Sequence, residues 1–174
     1  MSEILDIHGV LISDVWAAEF RGFFLGEGSL QIHRTHLSKQ YGRGKVYERE
    51  FNGFRPIAAV TQRSDNRPVL DAMCIRLGGN VSNHNRFNMV SGGNGKTYLN
   101  HSQAMWKVVA TDDVRRILEL LKGGWLPHTK LREIEIMERY LDIRPRTGHK
   151  MKPETREEIE RLFWQIREVR EYHE

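Results

Sequence analysis

Residues 19–29 read EFRGFFLGEGS, an apolar stretch that ends in one acid between glycines. Glu27 brings a carboxylate, a ligand that hard cations such as Mg²⁺ prefer. Gly22 and Gly26 are four residues apart, so they share one face of the helix that this stretch predicts. A glycine inside a helix costs about 1 kcal/mol relative to alanine. Because glycine has no side chain, a second helix can approach such a face closely. Packing against the chain's own sheet is the more common reason for a face of this kind.

Amide and cationic side chains form a second group that could act on a ligand. They are expected on one face of the predicted sheet, and they are Gln31, His33, Thr35, Asn83, Asn85, Gln103 and Lys107. Side chains of these types read base edges and phosphates in nucleic acids. A polar face in contact with solvent explains the same residues equally well, so the sequence by itself leaves both interpretations open.

The elements that carry these residues follow a regular order. Ser13 and the apolar positions after Asp14 predict an N-capped helix that Gly28 ends. Alternating polarity and turn residues predict four strands, at 29–37, 54–62, 79–90 and 98–110. Apolar periodicity predicts further helices at 67–78, 113–123, 130–142 and 154–172. Thr111 and Asp112 are expected to cap the helix at 113–123. This order predicts an α+β protein with a four-stranded antiparallel sheet.

Two connections between the predicted strands are rich in polar residues and glycine. Residues 38–50 are also basic and predict a long loop or the tip of a hairpin, and residues 91–97 predict a hairpin turn. The glycine-rich stretch 91–96 lacks the spacing of a phosphate-binding loop. The hairpin is therefore the better interpretation of that stretch.

Composition limits the class of protein and its metal chemistry. The chain has 174 residues, a net charge of +4, 39% apolar and 29% charged residues, as in one globular domain. No apolar run is long enough to cross a bilayer, and no secretion signal is visible, so we expect an intracellular protein of the cytoplasm, nucleoid or organelle matrix. Cys74 is the only cysteine, which excludes an internal disulfide and disfavours a structural zinc site despite eight histidines.

Residues 20–29, FRGFFLGEGS, resemble the defining motif of the LAGLIDADG homing endonucleases. Letter by letter, Gly22 matches a glycine, Leu25 replaces the first aspartate, Glu27 takes the place of the second, and Gly28 matches the last glycine. The family's core is αββαββα, the order predicted above. The resemblance implies a curved four-stranded sheet that forms a DNA-binding saddle, followed by C-terminal helices. It covers roughly residues 13–142, and we expect an endonuclease core at 1–143 with a helical tail at 144–174 packed on it.

The resemblance also implies catalytic residues. Glu27 stands at the family's catalytic acid, Gln62 in VTQRSDNRPVLDAM at its active-site glutamine, and Lys130 in LPHTKLREIEI at its active-site lysine. Some relatives carry an arginine four residues after the glutamine. Here Asn66 holds that position and Arg67 follows it, so either Arg67 takes the role or the role is unfilled. Our hypothesis is that Lys130 stabilises charge developing on the phosphate and that Gln62 positions the attacking water.

In this family two motif helices pack together, and this chain has one motif. The resemblance therefore implies a homodimer with twofold symmetry, whose interface includes Gly22, Phe23 and Gly26. Two Glu27 carboxylates would then lie close together, an arrangement that is unfavourable without cations. Mg²⁺ is the implied cofactor, with Glu27 and the carbonyl of Gly26 as ligands.

The implied partner is double-stranded DNA with a long, near-palindromic site. The polar sheet face would read its bases, and cations of the 38–50 loop would reach the flanking phosphates; these are Lys39, Arg43 and Lys45. The expected activity is Mg²⁺-dependent, site-specific hydrolysis of both DNA strands. Two alternatives use the same fold, an intron RNA maturase and a DNA-binding regulator that no longer cleaves, and the first adds intron RNA as a partner.

Overall fold

A computed structural model describes residues 3–35, 40–42, 45–47, 53–84, 89–91, 97–99, 102–144 and 151–171. The helices within this part of the chain are α1 (Asp14–Glu27), α2 (Arg67–Leu77), α3 (Thr111–Lys122), α4 (His128–Ile143) and α5 (Pro153–Glu171). The strands are β1 (Gly28–Thr35), β2 (Gln40–Gly42), β3 (Lys45–Tyr47), β4 (Gly53–Arg63), β5 (Asn80–His84), β6 (Met89–Ser91), β7 (Thr97–Leu99) and β8 (Gln103–Val108).

The main sheet has four antiparallel strands in the order β1-β4-β8-β5. β2 pairs with β3 and β6 pairs with β7, each in a separate two-stranded ribbon. β2 and β3 lie within 38–50, for which the sequence left a long loop and a hairpin tip open, and their antiparallel pairing favours the hairpin. β6 and β7 pair on either side of the predicted turn at 91–97. The third predicted strand contains β5 and part of β6, and the fourth contains β8 and part of β7. The α+β class and the predicted order of elements are confirmed.

Helix α1 follows its predicted bounds because its start and its end are both set locally. The Ser13 side chain accepts a hydrogen bond from the backbone N–H of Trp16 at 3.3 Å, as predicted for an N-cap. At the other end, the N–H of Gly28 donates to the carbonyl of Phe24. A Cβ atom on Gly28 would lie 2.5 Å from the Phe24 ring, so only glycine fits there.

The predicted cap of α3 was wrong in detail. Ala110 occupies the N-cap position without a side-chain hydrogen bond, and Thr111 is the first helical residue. Asp112 and Asp113 lie in the first turn, where the positive end of the helix dipole favours acids. The dipole therefore contributes to the stability of the start of this helix.

The chain divides into two compact units, residues 1–29 with 58–126 and residues 30–57 with 127–174. The first unit contains α1, α2, α3, β5 and β8, and an aromatic cluster lies in its core. Trp16 stacks on Phe20 at 5.5 Å between ring centroids, and Phe20 meets the edge of Trp106 at 6.2 Å. The buried Trp106 indole donates to the carbonyl of Gly78 at 2.9 Å. These contacts fix α1 by one face.

The second unit contains α4 and α5 and is held by polar contacts as well as apolar packing. The fully buried Tyr140 donates its hydroxyl hydrogen to the Phe54 carbonyl at 2.8 Å. Burial raises the pKa of Tyr140 to about 12. Glu133 is also buried and pairs with Lys130 at 2.9 Å and Arg170 at 3.4 Å. The predicted tail helix shares this unit with α4, and the predicted boundary at residue 143 stays a prediction.

Candidate active site and nucleic-acid interface

The outer face of α1, which we define by Gly22 and Gly26, is open. Phe20 and Phe24 are buried on the inner face, whereas both glycines are exposed. Within the described part of the chain, a Cβ atom at either glycine would meet no neighbouring atom within 4 Å. Phe23 is half-buried beside them. The glycine face is therefore not the face that packs on the chain's own core, which answers the question that the sequence left open.

Glu27 is the last residue of α1 and is exposed. None of the described residues forms an ion pair or hydrogen bond with its carboxylate. The negative end of the helix dipole disfavours an anion at this position. The carbonyl of Gly26 is among the last carbonyls of the helix, which have no partner within it. Adjacent residues at the end of the open face thus offer two oxygen atoms suited to binding a metal ion, one charged and one neutral.

Gln62, Asn66, Arg67 and Asn83 form a polar cluster in the first unit. The Asn66 amide nitrogen donates to Oε1 of Gln62 at 3.2 Å, and Nη1 of Arg67 donates to Oδ1 of Asn83 at 2.7 Å. The strand register puts Gln62 and Asn83 on either side of Ala104. Because Ala104 has a small side chain, the space above it is left to the longer polar groups. We call these four residues the amide–arginine cluster.

Arg67 is engaged on two sides. Besides Asn83, its Nε donates to Oδ2 of Asp71 at 3.2 Å, four residues along α2. Asn66, at the position where some relatives carry arginine, contacts Gln62 directly. Asn66 and Arg67 thus make separate contacts, and that Arg67 takes the role of the family's arginine stays a prediction.

The face predicted for Asn83 was wrong. Asn83 pairs in register with Ala104, and Ala104, Trp106 and Val108 are buried on one face of β8. Because side chains alternate along a strand, Gln103 and Lys107 lie on the opposite face. The error has a physical origin, since a difference of one residue in register moves a side chain to the other face of a sheet.

Other predicted contacts on the polar face keep the expected alternation. On β1, Leu30 and Ile32 are buried, Gln31 is half-buried and His33 is exposed. On β8, Gln103 is exposed and Lys107 is half-buried. Thr35 ends β1 and Lys45 begins β3. Lys39, Arg43 and Asn85 lie outside the described residues. That these residues contact DNA stays a prediction.

Lys130 is largely buried and already paired. Its side chain is 15% exposed, and its Nζ lies 2.9 Å from Oε2 of Glu133, one turn along α4. Lys130 belongs to the second unit, whereas Glu27 and Gln62 belong to the first. Sequence reasoning missed Glu133 and Asp71 as partners, although spacings of three and four residues would have suggested both pairs.

No group of three or more His, Cys, Asp or Glu side chains among the described residues could hold a metal ion. No helix among these residues is long and apolar enough to span a bilayer. A metal bound at Glu27 would therefore need ligands from outside the described residues of one chain.

Comparison with known proteins identifies the fold. No protein-family model matches the sequence, and neither does any curated protein. Solved structures of LAGLIDADG homing endonucleases and meganucleases do match it. I-CvuI, solved in complex with its target in the presence of calcium, is 17% identical, with a TM-score of 0.63 over 89% of this chain and 82% of its own. The chain therefore has the LAGLIDADG homing endonuclease fold.

Two further structures differ in how much of their own length is matched. The archaeal intron-encoded homing endonuclease I-Vdi141I, complexed with DNA, is 15% identical with a TM-score of 0.57, over 90% of this chain and 84% of its own. I-SmaMI, bound to an uncleaved DNA target with calcium, is 19% identical with a TM-score of 0.58. The match covers 90% of this chain but only 46% of I-SmaMI. The chain thus spans most of one relative and less than half of the other.

Proposed function

We propose that this protein is a homodimeric, Mg²⁺-dependent endonuclease that cuts both strands of a long, near-palindromic DNA site. The observation that carries the proposal is the open glycine face of α1, which ends in the exposed Glu27. An apolar helix that exposes two glycines to solvent lacks a contact that a second helix can supply. The fold and the DNA bound in the similar structures support DNA as the substrate.

The lengths of the similar proteins support a dimer of the single-motif kind. This chain matches most of I-CvuI and I-Vdi141I but less than half of I-SmaMI. Two copies of this chain would therefore provide about as much of the fold as one I-SmaMI chain. An isologous contact through Gly22, Phe23 and Gly26 would bring together the two outer faces of α1.

Dimerisation would also explain the position of Glu27. Two carboxylates at neighbouring helix C-termini repel each other and oppose both helix dipoles. The donor set suits Mg²⁺, because a carboxylate and the Gly26 carbonyl are both oxygen ligands, and water and DNA phosphate can complete the coordination. When bound, the metal would supply hydroxide and stabilise the leaving oxygen. Each Glu27 would serve one strand, which gives a double-strand break.

The chain's other residues would bind and position the DNA. Gln103 and Lys107 on β8, together with Gln31 and His33 on β1, would contact bases and phosphates through the polar face. Gln62 would act at the edge of the reacting phosphate. Lys130 would stabilise negative charge on the DNA only if its ion pair with Glu133 broke or if the paired side chains moved toward the DNA. Arg67 would serve mainly to hold Asn83 and α2 in place.

A cleavage selection tests the proposal. The purified protein is incubated with a randomised duplex library and with the DNA that flanks its gene, in Mg²⁺ and in Ca²⁺. We expect a discrete double-strand cut at one near-palindromic site, with Mg²⁺ only, and no cut by Glu27→Gln. Specific binding without cleavage in either metal would instead favour a regulator or a maturase.

A further inference from the structure

We propose that Asn66 is a positioning residue that holds the carbonyl oxygen of the Gln62 amide in a hydrogen bond at the protein surface and thereby turns its NH₂ group toward the DNA. The inference deepens the proposed function, because it states which kind of contact Gln62 can make with DNA. It replaces our hypothesis from the sequence that Gln62 positions the attacking water.

The hydrogen bonds of the amide–arginine cluster carry the inference. Asn66 Nδ2 donates to Gln62 Oε1 at 3.2 Å in an exposed hydrogen bond, so the amide oxygen of Gln62 accepts from a neighbouring side chain. Asn83 Oδ1 is engaged in the same way by Arg67 at 2.7 Å. Asp71, the cluster's nearest carboxylate along α2, accepts from Arg67 Nε. Two acceptor oxygens of the cluster and one of the neighbouring Asp71 thus each accept a hydrogen bond, whereas the amide oxygen of Asn66 accepts none from the described residues.

The groups that remain are mainly donors. Gln62 keeps two N–H donors on Nε2, Asn83 keeps two on Nδ2, and Arg67 keeps those on Nη2. Within the described part of the chain, no hydrogen bond engages these nitrogens. Gln62 and Asn83 both pair in register with Ala104, so they lie on the sheet face opposite Gln103 and Lys107, near the ends of β4 and β5. Phosphate oxygens only accept hydrogen bonds, so donors at this end of the sheet match the DNA backbone rather than the base edges that the polar face would read. A water to be activated as a nucleophile needs an acceptor for its proton, and the engaged oxygen of Gln62 is poorly suited to that.

The position of Asn66 in the chain makes its hydrogen bond to Gln62 possible. Asn66 stands four residues after Gln62, and the short 3₁₀ turn Ser64–Asn66 brings the two side chains together. An amide at this position can donate to Gln62, whereas an aspartate cannot. Gln62 next to an aspartate would have to reverse its amide, donate from Nε2 inward and turn Oε1 toward the DNA.

Asn66→Asp is therefore the test, because it keeps the size of the side chain and reverses the hydrogen bond. We expect the specificity constant for cleavage to fall about tenfold, the effect of losing one hydrogen bond to an anion. The new charge by itself could also repel DNA, so the same substitution is made in a Gln62→Ala background. There the fall should be less than about twofold. An equal fall in both backgrounds would overturn the proposal.

A second readout needs no cleavage and separates this inference from the proposed function. The side-chain amide of Gln62 is followed by ¹H–¹⁵N NMR in the free protein. In the wild type we expect both Nε2 protons at the positions of a solvated amide, and in Asn66→Asp one proton should shift downfield as it bonds to the carboxylate. A Gln62 proton already shifted in the wild type would contradict the inference, whether or not the protein cuts DNA.

Discussion

Glu27 at the end of α1 and Glu133 in α4 are the two acids with the most contrasting surroundings. Glu27 is exposed and has no partner among the described residues, next to a helix face that nothing covers. Glu133 is 5% exposed and pairs with Lys130 and Arg170, and Arg170 also donates to the Leu30 carbonyl at 2.7 Å. Glu133 is thus paired within the described part of the chain, whereas no described residue pairs with Glu27. We therefore predict that substitution of Glu133 affects stability and that substitution of Glu27 affects activity.

The largest expected effect is on cleavage activity, at Glu27, the acid that has no partner among the described residues. Glu27→Gln should lower the cleavage rate at least about a thousandfold, equivalent to about 4 kcal/mol, because the neutral amide is a poor metal ligand. Specific DNA binding should persist, and stability should rise slightly as an anion leaves a helix C-terminus. Single-turnover cleavage and a binding titration in Ca²⁺ measure the two quantities. Cutting by a variant free of wild-type protein would show that the acid is misassigned.

At Glu133, the acid that is paired within the chain, we expect a substitution to affect stability instead. Glu133→Ala should lower the free energy of unfolding by about 3 kcal/mol, because it removes the buried acid that pairs with both Lys130 and Arg170. Urea unfolding measures the loss. Glu135→Ala is the matched control on the same helix, since its pair with Arg132 is half exposed and should contribute less than about 1 kcal/mol. Equal losses for both variants would remove the contrast between the two acids.

Gly28, which follows α1, differs from the exposed Gly22 and Gly26 because its surroundings leave no room for a side chain. Gly28→Ala should destabilise the protein by about 2–3 kcal/mol, because the new methyl group would overlap the buried Phe24 ring. The backbone at Gly28 has a φ of −89°, which alanine adopts freely, so the effect is steric. Thermal unfolding of the variant checks it. An unchanged midpoint would mean that Phe24 can move without loss.

Tyr140 tests how far the second unit depends on buried polar contacts. Tyr140→Phe should cost about 1.5 kcal/mol at neutral pH, because it removes the hydrogen bond to the Phe54 carbonyl. Burial holds the pKa of Tyr140 near 12 in the folded protein, against 10.0 for an ordinary tyrosine. The unfolded chain therefore ionises first as the pH rises, and the wild type should lose stability between about pH 10 and pH 12.

That alkaline loss should be smaller in Tyr140→Phe, so the stability difference between the two proteins should narrow above pH 10. Urea midpoints measured from pH 8 to pH 11.5 give the comparison. A difference that stays constant over this range would show that Tyr140 ionises as readily in the folded protein as in the unfolded chain.

The smallest expected effect is at the open face. Gly22→Ala should stabilise the single chain by about 0.5–1 kcal/mol, because alanine favours the helix and its methyl group meets no neighbour. Unfolding at a concentration below the dimer dissociation constant isolates this gain. A loss of stability under those conditions would mean that the glycine face packs within the chain after all.

Local signals explain what the sequence could predict. Ser13, the apolar spacing of Phe20 and Phe24, and the terminal Gly28 fixed α1 to the residue, because caps and periodicity act within a few positions. The α+β class followed from the order of such elements. The sequence did not predict that β5 and β8 belong to one sheet and β6 and β7 to another, since nothing local separates a long strand from two short ones in a polar stretch.

Pairing between distant segments explains what the sequence could not predict. The register of β5 on β8 puts Asn83 opposite Ala104, and no pattern in either strand states that alignment. The spacing of Lys130 and Glu133 was readable, but the burial of Glu133 and its contact with Arg170 depend on α5. The hydrogen bond from Asn66 to Gln62 likewise depends on the turn that joins β4 to α2. The open outer face of α1 became visible only once the inner face was seen to be packed.

The central claim is that two copies of the chain meet through the outer face of α1. Sedimentation equilibrium of the wild type and of Gly22→Leu, at the same concentrations, tests it most directly. The leucine side chain has room in the single chain, so the variant should stay folded by circular dichroism. We predict a dimer for the wild type and a folded monomer for Gly22→Leu. A wild-type protein that is monomeric with and without DNA, or a variant that dimerises as strongly as the wild type, would contradict the account.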